Sequence, residues 1–306
     1  MKNTRRSFMR MAGVASVGSL VLPQIACKSE GAAAAKKGVD TAKAVIDVAK
    51  PSLDAFGIQL YTLRDVIPSD PQGTLKKVAD MGFNQIEGYD GDQGMFWNMG
   101  NKAFKTYISD LGLDMVSSHC NIRENFEEKA GQAAEIGMKY LICPYIGPQK
   151  SMDDWKRVTD RFNECGAICK KEGIRFAYHN HAYSFKAFSG QIPHDFIMEN
   201  TDPDTVDHEM DIYWVVTGGA DPIDYLKKYP NRFRLCHVKD RMKEAGDERM
   251  ASCNLGTGII DFPSILKVAQ ENGMQYYIME QERYDNTTPL ASAAAGAEYL
   301  KKIVFA

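Results

Sequence analysis

Eight short apolar, β-branched or aromatic runs recur along the chain, beginning at Phe56, Asn84, Leu113, Lys139, Ile174, Thr205, Phe233 and Gln275. They lie 26 to 42 residues apart, so every gap has room for one helix and two loops. Helical periodicity fills several gaps, as in TLKKVADM (Thr74 to Met81) and WKRVTDRFNECGAICKK (Trp155 to Lys171). Gly82, Gly112, Gly137, Gly173 and Gly273 each stand just before a strand, where the end of a helix needs a residue able to take a positive φ. With 44% hydrophobic residues among 306, the chain can bury one large core. Eight β/α units in such a chain predict an α/β fold of the (β/α)8 barrel type, with an open doubly wound sheet as the alternative.

The net charge of −3 provides no basic field for nucleic acid, which leaves small molecules as the expected partners. TRRSFMR (Thr4 to Arg10) precedes an uncharged stretch from Met11 to Leu22, a charged n-region followed by a short h-region. With Arg5, Arg6 and Phe8 at the right offsets it resembles a twin-arginine export signal, so residues 1–27 are expected to direct the protein to the periplasm. QIAC (Gln24 to Cys27) resembles a lipoprotein box, although Gln24 stands where a larger apolar residue is usual, and Cys27 is a candidate lipid anchor. Residues 28–53, rich in Ala and Lys, read as a linker, and 54–306 as the barrel. No two of the seven cysteines form a C-x-x-C; Cys165 and Cys169 lie one helical turn apart, and buried thiols are expected.

In a barrel of this kind alternate strand positions point inward, and chemistry collects at the C-terminal ends of the strands. In FAYHNHAYSF (Phe176 to Phe185), Ile174, Phe176 and Tyr178 suit the helix-facing side. Arg175, Ala177, His179 and His181 then face the barrel, with Asn180 directed away or into a loop. The same rule puts Glu87 at the end of the second strand and His119 at the end of the third. It puts Glu209, Asp211 and Tyr213 on one side of the sixth, His237 and Lys239 on the seventh, and Glu280 and Glu282 on the eighth. So many carboxylates and imidazoles in one mouth would be costly to desolvate without a counter-charge. His179, Asp211, His237 and Glu280 supply two nitrogens and at least two carboxylate oxygens, a mixed set suited to Mn²⁺, Fe²⁺, Co²⁺ or Zn²⁺ rather than Ca²⁺. One divalent cation is expected, Mn²⁺ first, with Mg²⁺ also on the list.

The order of strand ends, MD on strand six, CHVKD on seven and IME on eight, with NLGTGIIDF (Asn254 to Phe262) after strand seven, resembles the sugar isomerase/epimerase superfamily with the xylose-isomerase-like barrel. The resemblance covers roughly residues 54 to 304. It implies a metal held from strands five to eight, with Asp211, His237 and Glu280 matching in place. Many ketose epimerases of the superfamily have a glutamate on strand five where this chain has His179, which puts proton transfer between two opposed glutamates in doubt. The YHNH form is similar to an exported subgroup, some members of which are associated with 3-keto-glycosides. Ser184 stands where that subgroup often has an acidic residue.

The expected chemistry is abstraction of a proton α to a sugar carbonyl, the cation acting as Lewis acid. His181 or Glu280 is the expected base, and His119 and Lys239 the donors to the carbonyl or leaving oxygen. Glu87, Trp97, Tyr213 and Glu282 are the expected substrate contacts, Trp97 by stacking on a sugar face. Reprotonation would give an isomer or epimer; a glycosidic leaving group would depart by β-elimination. A non-phosphorylated sugar or a 3-keto-glycoside is the expected substrate, since no Gly-rich phosphate cradle is evident. His194 and His208 read as surface or packing residues. A carbohydrate-binding lipoprotein that lost catalysis is the alternative from another class.

Overall fold

Eight parallel strands close into a ring in the computed structural model, which describes residues 50–246 and 250–306. The expected signal, with Arg5, Arg6, Phe8 and Cys27, and most of the linker lie outside the described residues. In chain order the strands are β1 (Gly57–Gln59), β2 (Gln85–Tyr89), β3 (Asp114–His119), β4 (Tyr140–Cys143), β5 (Arg175–His179), β6 (Val206–Asp211) and β7 (Phe233–Val238). A short antiparallel pair follows, β8 (Asp240–Arg241) and β9 (Ser252–Cys253), and then β10 (Tyr276–Met279), which pairs with both β7 and β1 to complete the barrel. Seven of the eight barrel strands begin one residue after the start read from the sequence, and Phe233 coincides.

The helices are α1 (Pro71–Asp80), α2 (Asn101–Asp110), α3 (Phe126–Ile136), α4 (Met152–Lys171), α5 (Pro193–Asn200), α6 (Ile212–Thr217), α7 (Pro222–Lys228), α8 (Phe262–Glu271) and α9 (Pro289–Leu300). The five glycines expected at helix ends all have φ between +73° and +94°. In α4 the Ser151 hydroxyl caps the N-terminus by accepting from Asp154 N, with Asp153 and Asp154 in the first turn and Lys170 and Lys171 in the last, complementing the helix dipole. Its buried stripe, Trp155, Thr159, Phe162, Cys165 and Cys169, faces the sheet, and Gly166 allows a close approach: a Cβ there would lie 2.7 Å from Thr205 Oγ1. Cys165 and Cys169 are buried free thiols. No helix among the described residues is long and apolar enough to cross a membrane.

The inward positions form layers. At the N-terminal end of the barrel Arg175 pairs with Asp207, which also accepts from the Tyr140 hydroxyl at 2.9 Å. Above them Tyr140, Ile142, Ala177 and Leu235 make a small apolar plug. The larger apolar layer lies between strands and helices and contains Phe176, Tyr178 and Phe162. The strand-five alternation read from the sequence holds. The polar residues are stacked on the plug at the C-terminal end, where register shifts beside Glu87 and Glu209 locally distort the pairing, as is common next to functional sites.

A knot at Asp240 shapes the connection above strand seven. Its fully buried carboxylate accepts from the backbone N–H groups of Arg241 (2.8 Å), Gly256 (3.0 Å), Gly258 (2.9 Å) and Ile260 (3.2 Å). Tyr213, expected to continue the strand-six alternation, instead lies in the first turn of α6, because β6 gives way to helix after Asp211. Its hydroxyl accepts from Arg241 Nη1 (3.1 Å) and Ala251 N (2.7 Å), anchoring the same connection.

Candidate active site

His179 is the last residue of β5, and its Nδ1 lies 3.1 Å from the carbonyl oxygen of Pro144. A carbonyl only accepts, so Nδ1 carries the proton and the Nε2 lone pair faces Asp211 Oδ2 at 3.3 Å. His237, on β7, lies between carboxylates on both sides: its Nε2 is 2.7 Å from Glu87 Oε1, and its Nδ1 is 3.1 Å from Glu280 Oε2 and 3.7 Å from Asp211 Oδ2. Against burial, Glu209, Glu280 and Asp211 hold its pKa well above the ordinary value, so the ring carries a proton on each nitrogen. The Nδ1 proton takes the place among His237, Asp211 and Glu280 that a divalent cation would take.

His179, Asp211, His237 and Glu280 are all buried, and their donor atoms lie within 4.8 Å of one another. The measured spacings bracket roughly 3.4 Å, the edge of a tetrahedron with bonds of about 2.1 Å to a divalent ion. These four residues can hold a metal ion. Asp211 is held rigidly: its Oδ1 accepts from Trp214 N at 2.9 Å, capping α6. Asn180, expected to point away, is buried and bonds the Asp211 backbone twice, donating to its carbonyl at 3.1 Å and accepting from its N–H at 3.2 Å. Burial would raise the Asp211 and Glu280 carboxyls, but Lys239 and the histidines hold both well below the usual range.

Glu87 and His119 sit below with Glu209, which the sequence placed on the inward face of strand six without assigning it a role. Glu87 accepts from Gln59 Nε2 (2.8 Å), Ser117 Oγ (2.6 Å) and His237 Nε2. His119 Nε2 lies 2.8 Å from Glu209 Oε2 and 3.2 Å from Glu87 Oε1. Glu87, His119, Glu209 and His237 form a second buried cluster whose donor atoms also lie close enough together to surround an ion. Burial acts against ionised Glu87, yet His119 and His237 bring it down to about 2, while burial and the Glu87 charge push Glu209 up. Burial lowers His119 to about 3. Glu209 Oε1 is buried without a hydrogen-bond partner.

A cavity of about 930 Å³ opens above the four donors. His119, His179, His181, Glu280 and Glu282 line its inner end, and Tyr61, Tyr89, Tyr145 and Trp214 its walls. His181 stacks on Trp214 (centroids 5.0 Å apart) and Tyr183 (5.6 Å), and Ser184 Oγ donates to its carbonyl at 2.9 Å. Burial holds the His181 ring far below its ordinary pKa, neutral, and its Nδ1 has no partner.

Four expected roles change. Glu87 is fully buried beneath His237 and does not reach the cavity. Trp97 is 4% exposed and packs edge-on against Tyr89 at 5.1 Å, so Tyr89 and not Trp97 meets the cavity. Tyr213 is buried under Lys239, whose Nζ lies 5.0 Å from its ring centre. Lys239 is itself buried and committed to Glu282 and Glu280 (3.2 Å), so it balances the charge of the carboxylates. His194 and His208 are packing residues, buried in an aromatic cluster with Tyr178 and Phe233. Tyr61, Tyr89 and Tyr145 went unnoticed in the sequence because nothing local distinguishes a cavity wall from a core face.

The sequence profile of the xylose isomerase-like TIM barrel family matches residues 75–303. Inosose dehydratase of Clostridium perfringens is 30% identical over 165 residues, 49% of this chain and 55% of that protein, so the chain spans about half the length of this relative. Inosose dehydratase of Geobacillus kaustophilus is 24% identical over 272 residues, 75% of this chain and 86% of that protein. The crystal structure of a sugar phosphate isomerase/epimerase from Parabacteroides distasonis is similar with a TM-score of 0.70 at 30% identity, covering 85% of this chain and 96% of that one.

Proposed function

Because the chain belongs to the xylose isomerase-like TIM barrel family, we propose that it is a divalent-metal-dependent enzyme that removes a proton α to the carbonyl of a non-phosphorylated sugar. A 3-keto-glycoside undergoing β-elimination is the first substrate class, and isomerisation or epimerisation of a free sugar the second. The observation that carries this reading is the convergence of His179 Nε2 and His237 Nδ1 on the carboxylates of Asp211 and Glu280 beside an open cavity. The relatives named inosose dehydratase support an enzyme acting on a small sugar-like molecule and favour elimination, since loss of water β to a ketone begins with the same proton abstraction. A free sugar is favoured over a sugar phosphate because the N–H groups of Gly256 and Gly258 are committed to Asp240.

When bound, the cation, Mn²⁺ first among the candidates, polarises the carbonyl and stabilises negative charge on its oxygen. With a cation in place of the Nδ1 proton, Glu87 would keep the Nε2–H of His237 and leave Nδ1 as the ligand atom, as the Pro144 carbonyl leaves Nε2 of His179. His181, neutral and lining the cavity, takes the α proton. The electrons of the broken C–H bond form a carbon–carbon double bond as the bond to the leaving oxygen breaks, and His119 protonates that oxygen. Glu209, raised in pKa and 2.8 Å from His119 Nε2, resupplies the proton. Glu280, engaged by His237 and Lys239, stays a ligand. Trp214 stacks on the His181 ring and Tyr145 packs edge-on against it, which fixes the ring's orientation.

Proton NMR of the Mn²⁺-loaded protein in D₂O, with a 3-keto-glucoside and a free ketose, tests the reading. Release of the aglycone is the expected result. Deuterium entering the free ketose alone would move the assignment to isomerase or epimerase, and no change in either substrate would overturn it. The proposed location is the periplasm, with Cys27 acylated; a mature protein that begins at Cys27 and carries lipid by mass spectrometry is the expected outcome.

A further inference from the structure

The cavity is larger than its chemistry. The candidate metal ligands and His181 occupy one end, whereas about 930 Å³ is near the top of the range for pockets that enclose drug-sized ligands, well beyond one sugar ring. The outer half is built from three segments. Helix α4 contributes Asp154, Arg157, Val158 and Arg161, at i, i+3, i+4 and i+7 and therefore on one face. The chain after β3 adds Arg123, and the chain after β4 adds Tyr145.

Tyr145 is 59% exposed, the highest value among the large hydrophobic residues described, yet its backbone is held on both sides. The Pro144 carbonyl accepts from His179, and the Tyr183 hydroxyl accepts from Ile146 N (3.3 Å) and Gly147 N (3.2 Å). The ring is thereby kept 5.0 Å from His181. An exposed aromatic ring fixed next to the candidate base is a stacking surface that costs little conformational entropy to use. Beyond it Arg157 is tethered by Asp154, Arg161 by Glu164 and the Ile122 carbonyl, and Arg123 is exposed with no ion-pair partner among the described residues.

We infer that this outer half is a leaving-group subsite that takes a second ring joined to the sugar, stacked on Tyr145 with its polar substituents toward Arg123 and Arg157. The inference rests on the elimination reading and names its substrate class: glycosides whose aglycone is a ring, either another sugar or an aryl group.

The test uses the full-length Mn²⁺-loaded protein with methyl, phenyl and glucosyl 3-keto-glucosides, the last a disaccharide. Phenoxide departs more readily than an alkoxide for chemical reasons alone, so the informative quantity is how a substitution changes preference. The wild-type kcat/KM for each ring-bearing substrate relative to the methyl substrate should fall at least fivefold in Tyr145→Ala, chiefly through KM, and recover in Tyr145→Phe. A fall for phenyl alone identifies an aryl aglycone, and a fall for glucosyl alone identifies a second sugar. Cleavage of all three with unaltered preference in Tyr145→Ala would refute the subsite and leave the elimination reading standing. Cleavage of none would refute that reading and the subsite with it.

Discussion

Replacing Asp240 by alanine should destabilise the protein by about 2–4 kcal/mol. The carboxylate is wholly buried and accepts four backbone N–H groups, two on each oxygen: Arg241 and Ile260 on Oδ1, Gly256 and Gly258 on Oδ2. Leaving one buried donor without an acceptor costs about 1–3 kcal/mol. Gly256 is exposed and Gly258 half-buried, so water can recover part of the loss there, whereas Arg241 N is buried. Asp240→Asn keeps one oxygen and turns an NH₂ group toward the other pair of donors, so it should lose about half as much. At ~3 °C per kcal/mol for a domain of this size, the alanine variant should melt about 6–12 °C lower. The damage should reach the site, because Ser252 in the same connection accepts from Glu282 N (3.1 Å) and Arg283 N (3.0 Å), and Glu282 holds Lys239. The assay is urea unfolding of wild type and both variants, with Mn²⁺ affinity measured by titration. A loss below 1 kcal/mol for alanine, or an asparagine variant no better than alanine, would refute the account of the knot.

His179→Ala should abolish stoichiometric metal binding, while His181→Ala should retain the metal and lose about 10²–10⁴-fold in kcat; metal analysis beside kinetics separates the two, and equal metal loss in both would contradict the assignment. Glu87→Ala removes the acceptor that orients His237 through Nε2 and should weaken metal binding by roughly 10–100-fold without altering the cavity surface. A titration that finds unchanged affinity would make Glu87 a packing residue. His194 is fully buried, neither ring nitrogen has a partner, and burial holds its pKa down to about 3. Its contribution to stability is therefore complete above the unfolded value near 6.5 and falls by about 1.4 kcal/mol per pH unit as the pH drops toward 3. His208, also pushed well down by burial, adds a similar slope. Because burial also depresses His119 and His181, His194→Phe should flatten the acid side of the urea midpoint between pH 6.5 and 4.5 by about a quarter; an unchanged slope would show that His194 is not a source.

The barrel could be read from the chain because its signals are local. A strand of three to six residues, a helical stripe such as Trp155, Thr159 and Phe162, and a glycine at positive φ before each of five strands depend on neighbours a few positions away. The alternation of inward and outward side chains is local too, so His179, Asp211, His237 and Glu280 could be assigned to one mouth before any coordinates. The same rule failed at Tyr213, where the backbone changes from strand to helix after Asp211, and at Asn180, whose side chain is captured by a backbone 31 positions away.

By itself the sequence determined the repeated β/α unit, the side of each strand that faces inward and the kinds of donor collected at one end. Only the tertiary structure decided which of those inward groups reach the cavity. Glu87 and Lys239 share parity and end with true cavity residues, but their depth depends on strand stagger and on partners from other strands, His237 for one and Glu280 and Glu282 for the other. Tyr145, beyond the strand end, became part of the cavity wall through hydrogen bonds from His179 and to Tyr183 that span more than thirty residues. Contacts of that separation are set by closure of the ring, which leaves no trace in any local window of the chain.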